Sequence, residues 1–236
     1  MKARPVVHVL TDGSGSDGEP RIASTSALLE QVGATPGSIY GRLSDREIYA
    51  AILTGDHARF IALAEELSAT LAREDAEIVA GDAVEGFNPS HDVCRYVINA
   101  AVRLAAETRN RPIRSYAFPL ENAPDAGSAT GNGTPVRIEL DDRMLDQKLH
   151  AAAAYGELRS EVERTLARFG KEAFRTEWLW PIDLADPYGW DPARIPSYES
   201  YGAERVASGT YEHVVTFSEH VKPLADVLAS HRAIGA

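Results

Sequence analysis

One histidine in this chain stands among acids on a segment whose spacing suits proton or metal chemistry. Asp82, Glu85, Asn88, His91 and Asp92 fall within eleven positions. An imidazole near carboxylates can take a proton from water or substrate, and with acids it can hold a divalent cation. Asn88 reads as a helix cap with Pro89 at the first helical position, where proline is tolerated. His91 would then sit in the first turn, near unpaired backbone N–H groups that favour a neutral imidazole. Taken singly, Asp82 and Glu85 also read as solvated loop acids, and Asn88 and Asp92 as caps. His91 is the residue whose place favours function.

A second loop, Thr11 to Gly18, offers Asp12 among small residues. Gly13, Gly15 and Gly18 meet the G-x-G-x-x-G spacing, but Glu19, Pro20 and Arg21 separate them from the next helix. That weakens a nucleotide-binding reading. His8 and Asp12 share a strand face, yet four strand residues span roughly 13 Å. They cannot both reach one metal on a straight strand, so His8 reads as a core residue and Asp12 as the site residue. The catalytic candidates are therefore His91, Asp12 and Glu85, and the substrate-binding ones are Asn88, Asp82 and Asp92. A metal would take His91 and Asp12.

Elements must bring these two loops together. Pro5–Leu10 is a short, β-branched strand that leads into the Asp12 loop, and Glu77–Gly81 is another that leads into the His91 loop. Helices are expected over Ser24–Val32, ended by Gly33, and over Asp45–Leu53, capped by Ser44 or Asp45 and ended by Gly55. Phe60, Ile61, Leu63, Ala64, Leu67 and Leu71 give His57–Arg73 a helical stripe, and Val93, Val97, Ala100, Ala101 and Leu104 give one to the segment after His91. Strands return at Ile113–Phe118 and Val136–Leu140, around a Gly/Ala/Ser/Asn-rich loop at 122–134. Asp141–Phe169 is helical with a break near Gly156, Trp178–Pro196 is irregular but packed, and Gly209–Arg232 is a last helix interrupted or ended near Pro223. The alternation predicts an α/β fold with a mostly parallel sheet, whose ligands lie beyond the carboxyl ends of the strands.

Bulk properties narrow the partners. A net charge of −11 opposes attraction to nucleic acid or anionic lipid. No apolar run is long enough to span a bilayer, and the start is too short for a signal-peptide core. Cys94 is the sole cysteine, which excludes an intrachain disulfide and a multi-cysteine metal site. The expectation is a cytoplasmic protein, one domain over 1–236 with 170–236 as a C-terminal extension packed on it, acting on a small molecule.

Several segments together resemble the LmbE/PIG-L family of metal-dependent N-deacetylases. They are Thr11-Asp12-Gly13 after the first strand, the helix from Arg21 to Val32-Gly33, Asn88-Pro89-Ser90-His91 against the family's His-Pro-Asp-His, the stretch around Lys148, and Gly170 to Glu177. The resemblance implies a Rossmann-like three-layer sandwich and hydrolysis of an N-acyl group, usually on an amino sugar. It also implies one divalent metal, commonly zinc, held by two histidines and an aspartate, with a neighbouring aspartate as base. The family's His-Pro-Asp-Asp motif is absent here, and Asn88 stands where its later motif has a histidine. Two of three ligands and the base are missing. Three outcomes stay open: a site rebuilt from His91 with Asp12, Asp82 or Glu85; a metal-free reaction with His91 as base; or an inactive subunit that binds a ligand or partner, including a second copy of the chain. A retained pocket with altered chemistry is the preferred expectation.

Overall fold

A computed structural model describes residues 4–15, 18–123, 133–189, 191 and 193–232. Part of the Asp12 loop, most of the 122–134 loop and Trp190 lie outside them.

Strand β1 (Val6–Thr11) leads to helix α1 (Ile22–Val32), strand β2 (Thr35–Leu43), and helices α2 (Asp45–Thr54) and α3 (His57–Arg73). Strand β3 (Ile78–Asp82), helix α4 (Pro89–Arg109) and strand β4 (Arg114–Phe118) form the middle of the chain. Strand β5 (Val136–Glu139), helices α5 (Asp142–Ala154) and α6 (Arg159–Phe169), and strand β6 (Thr176–Pro181) follow, then helices α7 (Ser197–Ala207) and α8 (Lys222–Ser230). Among the described residues, no helix is long and apolar enough to cross a membrane.

The sheet expectation needs correction. Strands β1 and β2 pair in parallel as a two-stranded sheet, and the other four run in the order β3-β4-β6-β5. Strands β3 and β4 are parallel, but β6 runs antiparallel to both β4 and β5. The arrangement is mixed. Its cause lies in the segment read as irregular: Thr176–Pro181 is a strand that inserts between β4 and β5. Trp178 and Trp180, two residues apart on one face, stack at 5.3 Å. Pro181, which has no N–H to donate, ends the strand opposite Tyr116.

Local rules set the helix ends. Ser44 accepts the Glu47 N–H while the Glu47 carboxylate accepts the Ser44 N–H, a reciprocal cap on α2. Gly33 and Gly55 close α1 and α2 with left-handed backbone that favours glycine. The turn at Gly156 divides α5 from α6, as its sequence suggests. Strand β2, which carries Pro36 and Gly37, escapes a propensity reading. Gly37 is required there because a Cβ would fall 2.4 Å from the His8 ring. His8 in turn accepts the Ile39 N–H at 3.4 Å and is partly buried, so it serves the β1–β2 pair.

The core gathers α2, α3, α4, α8 and the turn before α8. Phe60 and Leu67 of α3, Val97 and Ala101 of α4, and Leu224 and Leu228 of α8 belong to one buried cluster. Alanines at 100, 101 and 105 let α3 and α4 pack closely along their length. Tyr198, Val215, Phe217 and Val221 join the same cluster, so the chain beyond residue 170 supplies both a central strand and part of the core.

Candidate functional site

The site is built where β3 ends and α4 begins. Gly81 lets the strand approach α4, since a Cβ there would meet Ile98 Cδ1 at 2.7 Å. Arg95, a buried residue of α4, donates through Nε to the Asp82 carbonyl at 2.5 Å and through Nη2 to the Tyr116 carbonyl at 3.0 Å. One guanidinium thus ties the end of β3 to the middle of β4. Its Nη1 is buried without a partner, and burial lowers its pKa to about 10.

Asn88 caps α4 as its sequence predicts, with Pro89 in the first turn. Its Oδ1 accepts from Ser90 N at 2.9 Å, from Ser90 Oγ at 2.8 Å and from the Tyr49 hydroxyl at 3.1 Å. The cap fixes the helix start and so fixes His91. The His91 Nδ1 lies 2.7 Å from Asp82 Oδ2, with side chains 47% and 21% exposed. Beside an ionised carboxylate the Nδ1–H is the donor, which leaves Nε2 as the free base.

Burial works against a charged His91 imidazole, but the Asp82 hydrogen bond and the charges of Asp82, Asp92 and Asp45 outweigh it, and the pKa rises. The helix start, which favours a neutral ring, is opposed by these carboxylates. Asp92 is 2% exposed and takes the Glu85 and Gly86 N–H groups on Oδ1 at 3.0 and 3.3 Å. Burial raises its pKa to about 7, against the opposing pull of those amides and of His91.

A cavity of about 70 Å³ opens here. His91, Asp92 and Asn88 form its polar floor, Glu85 and Glu121 flank it, and Ala83, Phe87 and Leu120 supply apolar wall. Glu85 was expected to act in catalysis, but it holds the rim together. Its carboxylate accepts the N–H groups of Leu120, Glu121 and Asn122 at 2.7, 3.1 and 3.1 Å, and Asn122 Nδ2 at 2.7 Å.

Asp12 is placed elsewhere. Its Oδ1 accepts the Ser14 N–H at 2.9 Å, and its loop is anchored to α2 by Gly15 N donating to Asp45 Oδ2 at 2.6 Å. It does not line the cavity. His91 and Asp12, the pair expected to share a metal, do not line one cavity. Among the described residues, no three His, Cys, Asp or Glu side chains stand together as a cation would require. The donor set does not fit zinc.

Sequence reasoning missed Asp45, Tyr49, Phe87, Arg95, Leu120 and Glu121. None carried a local signal: Arg95 lies on the face of α4 opposite the apolar stripe, where a cation reads as solvated, and it is the β3 and β4 carbonyls that bury it.

No family model matches the chain, and no curated protein matches it. Solved structures do show likeness. The A40926 pseudoaglycone deacetylase Dbv21 shares 21% identity with a TM-score of 0.49, over 75% of this chain and 84% of that one. The zinc-inhibited form of teicoplanin deacetylase Orf2 shares 17% with a TM-score of 0.47, over 67% and 71%. A deacetylase–bog complex from the teicoplanin pathway shares 19% with a TM-score of 0.47, over 67% and 70%. With TM-scores below 0.5, these matches assign neither activity nor residue roles.

Proposed function

We propose that this chain is a small-molecule hydrolase of PIG-L-like descent, acting on an N-acylated amine such as an amino-sugar derivative through His91 rather than a metal. The observation that carries the reading is the 2.7 Å contact of His91 with Asp82 at the floor of a cavity. An imidazole oriented through Nδ1 by a carboxylate presents Nε2 as a general base. His91 Nε2 takes a proton from water as the water oxygen bonds to the acyl carbon. The C–N bond then breaks, and the proton on Nε2 passes to the leaving nitrogen. Asp82 holds the ring and stabilises the imidazolium, while Asn88 and Asp92 shape the floor.

The occupied carboxylate of Glu85 supports a second reading, in which the same cavity binds its ligand without turnover. Amine release from a panel of N-acyl compounds separates the two. His91→Ala should lower turnover by about 10²- to 10⁴-fold, the range for a lost general base, with the circular dichroism unchanged. Wild-type rates in His91→Ala would overturn the proposal, and ligand binding without any amine release would favour the second reading.

A further inference from the structure

The cavity wall identifies the kind of group that enters it. Phe87 and Leu120 are 53% and 47% exposed, and both line the cavity. They come from different loops, one after β3 and one after β4. Glu85 ties those loops together by accepting three consecutive amides, of Leu120, Glu121 and Asn122. The two loop backbones that carry these side chains are thus tied together before any ligand arrives, which reduces the ordering cost of binding.

The charge pattern restricts the occupant further. The lining carries the carboxylates of Glu85, Asp92 and Glu121 and no lysine or arginine. Arg168 lies 3.6 Å from Glu121, outside the lining. A ligand phosphate or carboxylate entering here would meet the Glu85 and Glu121 carboxylates, and the one lining group able to take positive charge, His91, is already engaged by Asp82. A nitrogen that becomes an ammonium on release would meet the opposite.

We propose that the cavity takes an uncharged acyl chain longer than acetyl, held between Phe87 and Leu120 with its carbonyl toward His91. The inference rests on the hydrolase reading for the bond that reacts, but the binding it describes is measurable without turnover. The cavity then selects hydrophobic N-acyl groups over nucleotide-linked or phosphorylated ones.

Titration of the protein with straight-chain primary amides from acetamide to octanamide, followed by amide NMR shifts or calorimetry, tests this. Affinity should rise about fourfold per added methylene over the first few carbons, the value for burying a CH₂. Octanoate should bind more weakly than octanamide. Phe87→Ser and Leu120→Ser, both at exposed positions, should flatten the chain-length dependence without unfolding the protein. Affinity independent of chain length, or octanoate binding as tightly as octanamide, would overturn the inference. Length-dependent amide binding with no hydrolysis of any N-acyl compound would refute the hydrolase reading alone. His91-dependent hydrolysis indifferent to chain length would refute this inference alone.

Discussion

Asp92 offers a sharp test of how the site's burial is balanced. Its carboxyl is 2% exposed and its pKa stands at about 7, against an ordinary value of 3.8. Between those values the unfolded chain has released this proton and the folded chain keeps it. The unfolded state therefore gains relative stability as pH rises through that window, at about 1.4 kcal/mol per unit. The full window corresponds to a loss of up to about 4 kcal/mol between acid and neutral pH, a ceiling for a buried group coupled to His91. Asp92→Asn keeps an oxygen for the Glu85 and Gly86 amides but cannot ionise. Urea unfolding of wild type and variant at intervals from pH 4 to 8 gives the difference directly. The variant should gain on wild type steadily as pH rises and match or exceed it at pH 8. Parallel stability curves would show that Asp92 is not held protonated by its surroundings, and the account of the cavity floor would fail.

Asp82→Asn removes the first partner that raises the His91 pKa, so the imidazole should titrate lower. In the wild type the stability from this pair is complete below the ordinary histidine pKa and fades as pH rises through the elevated one. NMR titration, with His91→Ala to identify the resonance, checks it, and an unmoved midpoint would remove Asp82 as the orienting group. Ser44→Ala removes the side-chain half of the α2 cap, leaving the backbone N–H at 44 on Glu47, and should cost about 1 kcal/mol, read as a lower denaturation midpoint with unchanged slope. Gly37→Ala forces a methyl into the His8 ring and should destabilise by more than Ser44→Ala; equal midpoints would show that β1 and β2 yield easily.

Much of the frame was legible in the residues. The stripe on His57–Arg73, the Ser44 cap and the Asn88-Pro89 start of α4 are local signals, and each element stands where those signals place it. Strands β2 and β6 were not legible, because Pro36, Gly37 and Pro181 resemble turn residues until a neighbouring strand accepts them. For the site, the sequence set Glu85, Asn88, His91 and Asp92 close together, and they line one cavity, but it left open which acid meets His91. Asp82 and Glu85 lie three positions apart on one loop, and only the β4 loop amides decide that Glu85 faces them. Nothing local to Thr11-Asp12-Gly13 reveals that Asp12 turns back on Ser14. Phe87 and Leu120, about thirty residues apart, become one wall only through tertiary folding.

The meeting of three donors on a single side-chain oxygen of Asn88 makes positions 49, 88 and 90 one unit of variation. A phenol at 49, partly buried and with its pKa pushed up to about 12 by burial, is tolerable only opposite an acceptor at 88. A library randomised at these three positions and sorted for folded protein should return linked combinations, with phenylalanine at 49 wherever the acceptor at 88 is lost. The start of the helix that carries His91 would thus be inherited together with a residue from another helix, about forty positions earlier in the chain.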